Sequence, residues 1–213
     1  MSRKHPEVAI AYDFDGTLSP GNMQEYDFIP KLGMKKGEFW KQATQLAKDC
    51  DGDPILAYLN LMLRKANANE VEIRRNNFVE YGKGIELFPG VEAWFDRIDA
   101  YGKQLGLSVK HYIISSGIRE LVEGSPVAKK FERIFASAYA YDQNGVAYAP
   151  ALAINYTTKT QYLFRINKGT LDAWDNSVIN AYVPQGERPV PFERMLYLGD
   201  GETDVPCMRT VKD

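Results

Sequence analysis

The stretch Val8-Ala9-Ile10-Ala11-Tyr12-Asp13-Phe14-Asp15-Gly16-Thr17-Leu18 decides the fold class of this 213-residue chain. Its first five residues form a short apolar run, which predicts a buried β-strand over residues 8–12. Two carboxylates, Asp13 and Asp15, follow at the carboxyl end of that strand. Gly16 then allows a sharp turn of the backbone. Because ligands of open α/β sheets bind where the strands end, the two carboxylates mark a candidate site.

The composition is that of a globular protein with a proper core, since 45% of the residues are hydrophobic. The net charge of −2 provides no global field to attract a nucleic acid or an acidic membrane. No run of about 18 apolar residues predicts a membrane span, and no signal-peptide stretch precedes the first strand. Two cysteines, Cys50 and Cys207, make no disulfide framework, so we expect a reducing, cytoplasmic location.

Residues 20–86 show apolar side chains at helical spacing and predict a helical block after the first strand. One helix is expected over 39–50. Asp53, as N-cap with Pro54 in the first helical position, predicts the start of a second helix. Asn69 and Glu72 resemble a capping box and predict the start of a third.

Sheet elements are expected again after residue 86. The pattern predicts a helix over 91–104, a strand over 107–114, another over 134–139 and a last one over 195–198. Asn144-Gly145 predicts a hairpin turn. A helix is also expected over 172–182.

Two further polar motifs follow predicted strands. Ser115-Ser116-Gly117 comes directly after the strand over 107–114, and Gly199-Asp200-Gly201-Glu202-Thr203-Asp204 follows the strand over 195–198. Since strand ends share one edge of a parallel sheet, both motifs are expected near Asp13 and Asp15.

Together these motifs resemble those of the haloacid dehalogenase superfamily in its phosphatase form, with a hairpin similar to that of the phosphoserine phosphatase branch. The resemblance spans nearly the whole chain. It implies an α/β fold whose Rossmann-like, three-layer parallel sheet core comprises residues 1–19 and 87–213. The all-helical C1 cap domain would comprise residues 20–86, with linkers near 18–22 and 84–89. Relatives continue beyond the last acidic motif, so we expect a truncated carboxyl end.

The resemblance assigns catalytic roles to residues of the first two motifs. Asp13 would be the nucleophile that forms an aspartyl-phosphate. Asp15 would act as general acid and then as general base, and this second acid favours a phosphatase over a dehalogenase. Ser115 would hold a phosphoryl oxygen, while Ser116 and Gly117 would bind the substrate through backbone N–H groups.

A Mg²⁺ cofactor is also implied by the resemblance. Its ligands would be Asp13, the backbone carbonyl of Asp15, and Asp200, with Asp204 as an outer ligand or supporting residue.

Members of the superfamily also have a motif lysine between the third and fourth strands. Lys159 and Lys168 are both candidates, because both lie at that place in the order of the chain. Thr158 and Gln161 resemble a capping box, which places Lys159 in the first turn of a helix at the edge where the strands end. Lys168 would lie at the opposite edge. Lys159 is therefore favoured, and Lys168 stays the alternative.

The expected function is Mg²⁺-dependent hydrolysis of a small phosphomonoester. A phosphomutase or phosphotransferase with the same nucleophile, and a non-enzymic descendant that binds a phosphorylated ligand, are the alternatives. The expected partner is a small phosphorylated metabolite rather than a nucleic acid or a membrane, and the protein is expected to be a monomer or homodimer. Polar candidates for recognising the rest of the substrate are Glu25, Lys35, Lys36, Arg64 and Arg119.

Overall fold

Five strands form a single mixed sheet in a computed structural model that describes residues 5–71 and 73–212. In chain order they are β1 (Glu7–Tyr12), β2 (Ser108–Ile118), β3 (Arg133–Tyr141), β4 (Ala147–Leu152) and β5 (Met195–Leu198). The spatial order is β4-β3-β2-β1-β5. β1 pairs in parallel with β2 and β5, and β2 with β3, whereas β4 is antiparallel to β3. The predicted hairpin is confirmed, with Gly145 in the left-handed region at a φ of 74°.

Helices flank this sheet, and they are α1 (Phe28–Lys31), α2 (Lys36–Asp49), α3 (Pro54–Ala68), α4 (Arg75–Gly82), α5 (Val91–Gln104), α6 (Arg119–Gly124), α7 (Lys159–Lys168) and α8 (Val205–Lys212). Among the helices that the structure describes, none has the length and apolar character needed to cross a membrane. The α/β architecture predicted from the sequence is confirmed.

β1 is buried on both of its faces. Ile10 and Tyr12 pack into the core shared with the helices of the 20–86 segment. Ala9 and Ala11 point to the other face, where they join the core under α7 and α8. A continuous apolar run is what a central parallel strand between two helical layers requires.

One helix of the segment after β1 begins where the sequence predicts, and another does not. The Asp53 carboxylate accepts hydrogen bonds from the backbone N–H groups of Ile55 and Leu56, so the predicted N-cap of α3 is confirmed. The predicted start of the third helix at Asn69 is wrong, because α4 begins at Arg75. Of the proposed capping box, Glu72 lies outside the described residues.

Backbone contacts join α4 to the sheet side of the molecule. An added methyl group on Gly82 would lie 2.1 Å from the Leu121 carbonyl oxygen of α6, and Gly124 approaches α4 equally closely. In addition, Ala147 N–H donates to the Ile73 carbonyl. The division between core and cap stays a prediction, and these contacts attach the last part of the 20–86 segment to the sheet.

The helix predicted over 172–182 is wrong. In place of a helix, residues 170–183 form turns around the buried guanidinium of Arg165. One of its nitrogens donates to the carbonyls of Asp172 and Asp175, each at 2.7 Å. Carbonyl groups of this segment therefore accept hydrogen bonds from the Arg165 side chain instead of from the N–H groups of a helix.

Candidate active site

The ends of three parallel strands bring the polar motifs to one edge of the sheet. Tyr12 of β1 is in register with Ile113 of β2 and with Leu198 of β5. The Asp13 backbone N–H donates to the Leu198 carbonyl at 2.9 Å and continues the ladder by one residue. The residues after each strand therefore meet around Asp13.

Asp13 forms a buried ion pair with Lys159. The Lys159 ammonium lies 2.8 Å from Asp13 Oδ2 and 2.8 Å from Asp204 Oδ1. Burial raises the pKa of Asp13 to about 6, and the neighbouring ammonium opposes that rise. For Lys159, burial alone would lower the pKa, but the two carboxylates outweigh it and raise the pKa above its usual value. The ammonium is therefore held in its charged form.

Asp204 is fully buried and has several donors. Tyr197 donates its hydroxyl hydrogen to Asp204 Oδ1 at 2.7 Å, beside the Lys159 contact. The Gly201 N–H approaches Asp204 Oδ2 at 3.4 Å. Asp204 thus fixes the position of Lys159.

The alternative lysine is remote from these carboxylates. Lys168 lies at the other end of α7, where its ammonium donates to the carbonyls of Ile179 and Ala181. α7 does begin at Lys159, although without a side-chain cap from Thr158. Instead, the Asn155 carboxamide oxygen accepts the N–H groups of Thr157 and Thr158, so the predicted helix start is confirmed and its predicted capping box is wrong.

Asp15 is held by the start of the helical segment. Its Oδ1 accepts the backbone N–H of Met23 at 2.9 Å. Burial, followed by the negative charge of Asp13, raises the pKa of Asp15 well above its usual range. The shift favours the protonated form of this carboxyl group over that of an ordinary aspartate.

The Ser115-Ser116-Gly117 motif forms a bulge rather than the end of a strand. β2 continues to Ile118, and its register with β3 shifts between Ser115 and Ile118. The Gly117 N–H donates to Ser115 Oγ at 3.0 Å. A methyl group on Gly117 would collide with the Met23 side chain and lie 3.1 Å from Asp15 Oδ2. The bulge thus brings backbone close to the carboxylates.

Oxygen atoms from Asp13, Asp200 and Asp204 lie within 4.8 Å of one another. Gly16 makes this approach possible, because its φ is 80° and an added methyl group would lie 2.3 Å from an Asp200 oxygen. Thr17 Oγ1 also donates to Asp200 Oδ1 at 3.2 Å. A set of carboxylate oxygens fits a hard divalent cation such as Mg²⁺.

The family model for haloacid dehalogenase-like hydrolases matches residues 10–209. The chain belongs to this family. Among curated proteins, an uncharacterized protein of Borreliella burgdorferi is 27% identical over an alignment that covers all of this chain and 81% of the relative. The resemblance of the motifs to those of the haloacid dehalogenase superfamily is therefore confirmed.

Solved structures of this hydrolase family share the fold. A HAD family hydrolase from Salmonella enterica serovar Typhi superposes with a TM-score of 0.64 at 18% identity, covering 96% of this chain and 60% of that one. A substrate-bound phosphoserine phosphatase superposes with a TM-score of 0.61 at 14% identity, covering 94% and 81%. The chain thus spans less than two thirds of the Salmonella hydrolase.

A cleft of about 360 Å³ opens above these carboxylates. It is lined by Asp13, Asp15, Ser115, Ser116, Gly117, Lys159 and Asp200, which are residues that the sequence singled out. The five polar candidates for recognising the rest of the substrate do not line it. Glu25 pairs with Lys36 at 3.3 Å, and Arg119 pairs with Glu120 at 3.2 Å. Glu25, Lys36 and Arg119 are thus held in ion pairs and do not line the cleft.

Several residues that build the site were missed by sequence reasoning. Tyr197 lies inside a predicted strand and has no motif around it, yet its hydroxyl fixes Asp204. Gln24, Trp40 and Tyr58 line the cleft from the helical segment. The apolar spacing around Trp40 and Tyr58 indicates only a buried helix face, and Gln24 lies in a short turn without a motif, so no sequence pattern pointed to a binding wall.

Proposed function

We propose that this hydrolase is a Mg²⁺-dependent phosphatase that hydrolyses a small phosphomonoester through an aspartyl-phosphate on Asp13. The observation that carries the proposal is the pairing of two unlike carboxyl groups in one cleft. Asp13 contacts the Lys159 ammonium at 2.8 Å, which opposes the rise of its pKa to about 6. Asp15 instead accepts the Met23 N–H, and its pKa is raised well above its usual range. One is suited to be an ionised nucleophile, the other a proton donor.

In the first step an Asp13 carboxylate oxygen attacks phosphorus, and the bond from phosphorus to the ester oxygen breaks. Asp15 gives its proton to the departing oxygen, which leaves as an alcohol. Lys159 stabilises the negative charge that gathers on the phosphoryl group. Ser115 Oγ, which accepts the Gly117 N–H, donates its own hydrogen to a phosphoryl oxygen.

In the second step a water molecule attacks the phosphorus of the aspartyl-phosphate. Asp15, now ionised, accepts a proton from that water, and the bond between phosphorus and Asp13 breaks. Inorganic phosphate is released and both carboxyl groups return to their starting states.

Asp13, Asp200 and the Asp15 backbone carbonyl would hold Mg²⁺, and Asp204 would support the site through Lys159. When bound, the ion supplies charge neutralisation for the nucleophile and the phosphoryl oxygens. The role of Asp204 as a supporting residue is favoured by its contacts with Lys159 and Tyr197, which occupy one of its oxygens.

Trapping the covalent intermediate tests the proposal. The protein with Mg²⁺ and a ³²P-labelled monoester should give label bound to protein after acid quenching, and hydroxylamine should release it as expected for an acyl phosphate. Asp13→Asn should give neither label nor turnover, with an unchanged circular dichroism spectrum. Turnover in Asp13→Asn would overturn the mechanism. Transfer of the label to an added alcohol in preference to water would instead indicate a phosphotransferase.

A further inference from the structure

The wall of the cleft that faces the catalytic residues carries no charge. It is formed by Gln24, Asn22, Trp40, Ile55, Tyr58 and Tyr156, together with small neutral residues. Of the described residues that line the cleft, those with a charged side chain are Asp13, Asp15, Asp200 and Lys159, which all belong to the catalytic set. Lys159 is already shared by two carboxylates. A leaving group with its own carboxylate would therefore find no cation to pair with.

The carboxylate of Glu25, which contacts two residues of this wall, already has partners on both oxygens. Glu25 Oε1 accepts from Asn22 Nδ2 and Trp40 Nε1, each at 2.8 Å. Its other oxygen faces Lys36 at 3.3 Å, on the outside of the helical segment. Glu25 thus orients the indole and the amide of the wall. It does not offer a free carboxylate for an ammonium group of a substrate.

Two aromatic rings give the wall a rigid, apolar part. Trp40 and Tyr58 pack edge to face, with their ring centroids 5.6 Å apart. The Tyr58 hydroxyl is fixed by donating to the Ser116 carbonyl at 2.7 Å, which ties the wall to the phosphate-binding bulge. Flat aromatic surfaces suit the apolar face of a ring in the substrate.

Gln24 places an unpartnered hydrogen-bond acceptor in the wall. The residue is 2% exposed, and its carboxamide oxygen has no hydrogen-bond partner. A buried acceptor without a donor is costly, and a donor from a ligand in the cleft would satisfy it. A hydroxyl or an N–H group meets this need, whereas a quaternary ammonium or a carboxylate does not.

We propose that the alcohol released by this enzyme is uncharged, carries an apolar ring face for Trp40 and Tyr58, and donates a hydroxyl or N–H hydrogen to Gln24. This chemistry is shared by sugars and nucleosides. The inference rests on the proposed phosphatase function and adds its substrate class.

A panel of phosphate monoesters tests the proposed substrate class. With Mg²⁺, kcat/KM is measured for phenyl phosphate, a hexose monophosphate, a nucleoside 5′-monophosphate, O-phosphoserine, 3-phosphoglycerate and phosphocholine. Hydrolysis of either the hexose or the nucleoside ester at least tenfold faster than of the three charged compounds is expected, and the better of the two identifies the source. A charged compound as the best substrate would overturn the inference. Release of phosphate from none of them, phenyl phosphate included, would instead contradict the phosphatase function.

Substitution of Gln24 tests its proposed role as the acceptor of a hydrogen bond from the substrate. Gln24→Met keeps the length of the side chain and removes the acceptor, so kcat/KM for the preferred ester should fall about tenfold more than for phenyl phosphate, which has no donor. Gln42→Met is the matched control, because Gln42 lies on α2 with its amide bound to Glu38 and does not line the cleft. It should leave both rates unchanged. An equal loss for both esters in Gln24→Met would mean that Gln24 only supports the fold.

Discussion

At the scale of single residues, the two ends of α7 provide a direct test of the site. Lys159→Met removes the ammonium that contacts Asp13 and Asp204, each at 2.8 Å. We expect kcat to fall by about 10²-fold or more, as for loss of another charge-stabilising donor. The measurement is steady-state phosphate release by the purified variant with Mg²⁺.

Lys168→Met is the matched control on the same helix. The Lys168 ammonium binds two loop carbonyls, those of Ile179 and Ala181, so kcat should be near that of the wild type while the melting temperature falls slightly. If Lys168→Met lost activity and Lys159→Met kept it, the assignment of the lysine would be wrong.

A histidine beneath the site predicts a pH dependence of stability. Trp94 Nε1 donates to the Tyr12 hydroxyl at 2.9 Å, so that hydroxyl has its own hydrogen free to donate to His111 Nδ1, also at 2.9 Å. This arrangement requires an unprotonated Nδ1. Burial lowers the pKa of His111 below 6.5, although a hydrogen bond to Asp99 opposes the shift. The folded protein therefore favours neutral His111.

The sign of the effect follows from proton binding. Above pH 6.5 the ring is neutral in both states and its stabilising contribution is complete. As the pH falls from 6.5 towards the lower pKa of the folded state, the unfolded chain binds the proton first, so stability is lost. Urea unfolding at pH 7.5 and 5.5 should show a larger loss for the wild type than for His111→Asn. Asp13 and Asp15, whose pKa values are raised, act in the opposite direction in both proteins, and equal losses would contradict the prediction.

At the scale of elements, the contact of α4 with α6 depends on glycine. In Gly82→Ala the new methyl group would lie 2.1 Å from the Leu121 carbonyl oxygen and 2.8 Å from the Gly124 Cα atom. Because backbone cannot move aside as a side-chain end can, we expect a loss of about 1–3 kcal/mol in the free energy of unfolding. The matched control is Gly37→Ala in α2, where nothing lies within 4 Å. It should gain up to about 1 kcal/mol, and urea unfolding of both variants measures the difference.

Elements with local signals were predictable from the sequence, and elements held by distant contacts were not. α5 and the hairpin turn match their predictions, because helical spacing and Asn-Gly chemistry act within a few residues. The segment over 172–182 is irregular because its carbonyls bind the Arg165 guanidinium. The bulge in β2 likewise depends on pairing with β3. Neither contact leaves a periodic pattern in the chain.

At the scale of the whole molecule, the catalytic residues were predictable and the binding wall was not. Asp13 and Asp200 follow β1 and β5, and Ser115 lies within β2 beside β1, so the sheet alone brings them together. Gln24 and Trp40 reach the cleft only through the packing of the helical segment over that edge. Such packing is a property of the assembled fold. Three of the charged residues that the sequence favoured, Glu25, Lys36 and Arg119, form ion pairs outside the cleft lining.

The acidic cluster predicts that Mg²⁺ stabilises the whole fold. Three carboxylates within 4.8 Å repel one another, and Lys159 balances only part of their charge. An ion bound by the folded state alone adds about 2.7 kcal/mol at a concentration 100 times its dissociation constant, which for a chain of this size raises the melting temperature by roughly 5–10 °C. Differential scanning fluorimetry with Mg²⁺ and with EDTA measures the shift without any substrate.

Two variants of the same loop decide whether this cluster is responsible. Asp200→Asn keeps an oxygen for the Thr17 hydroxyl and removes one charge, so it should melt slightly higher than the wild type in EDTA and lose most of the Mg²⁺ shift. Glu202→Gln changes an exposed carboxylate outside the three-residue cluster and should keep the full shift. If the two variants responded equally to Mg²⁺, the stabilisation would come from general screening of negative charge, and the ligand set proposed around Asp13 and Asp200 would be wrong.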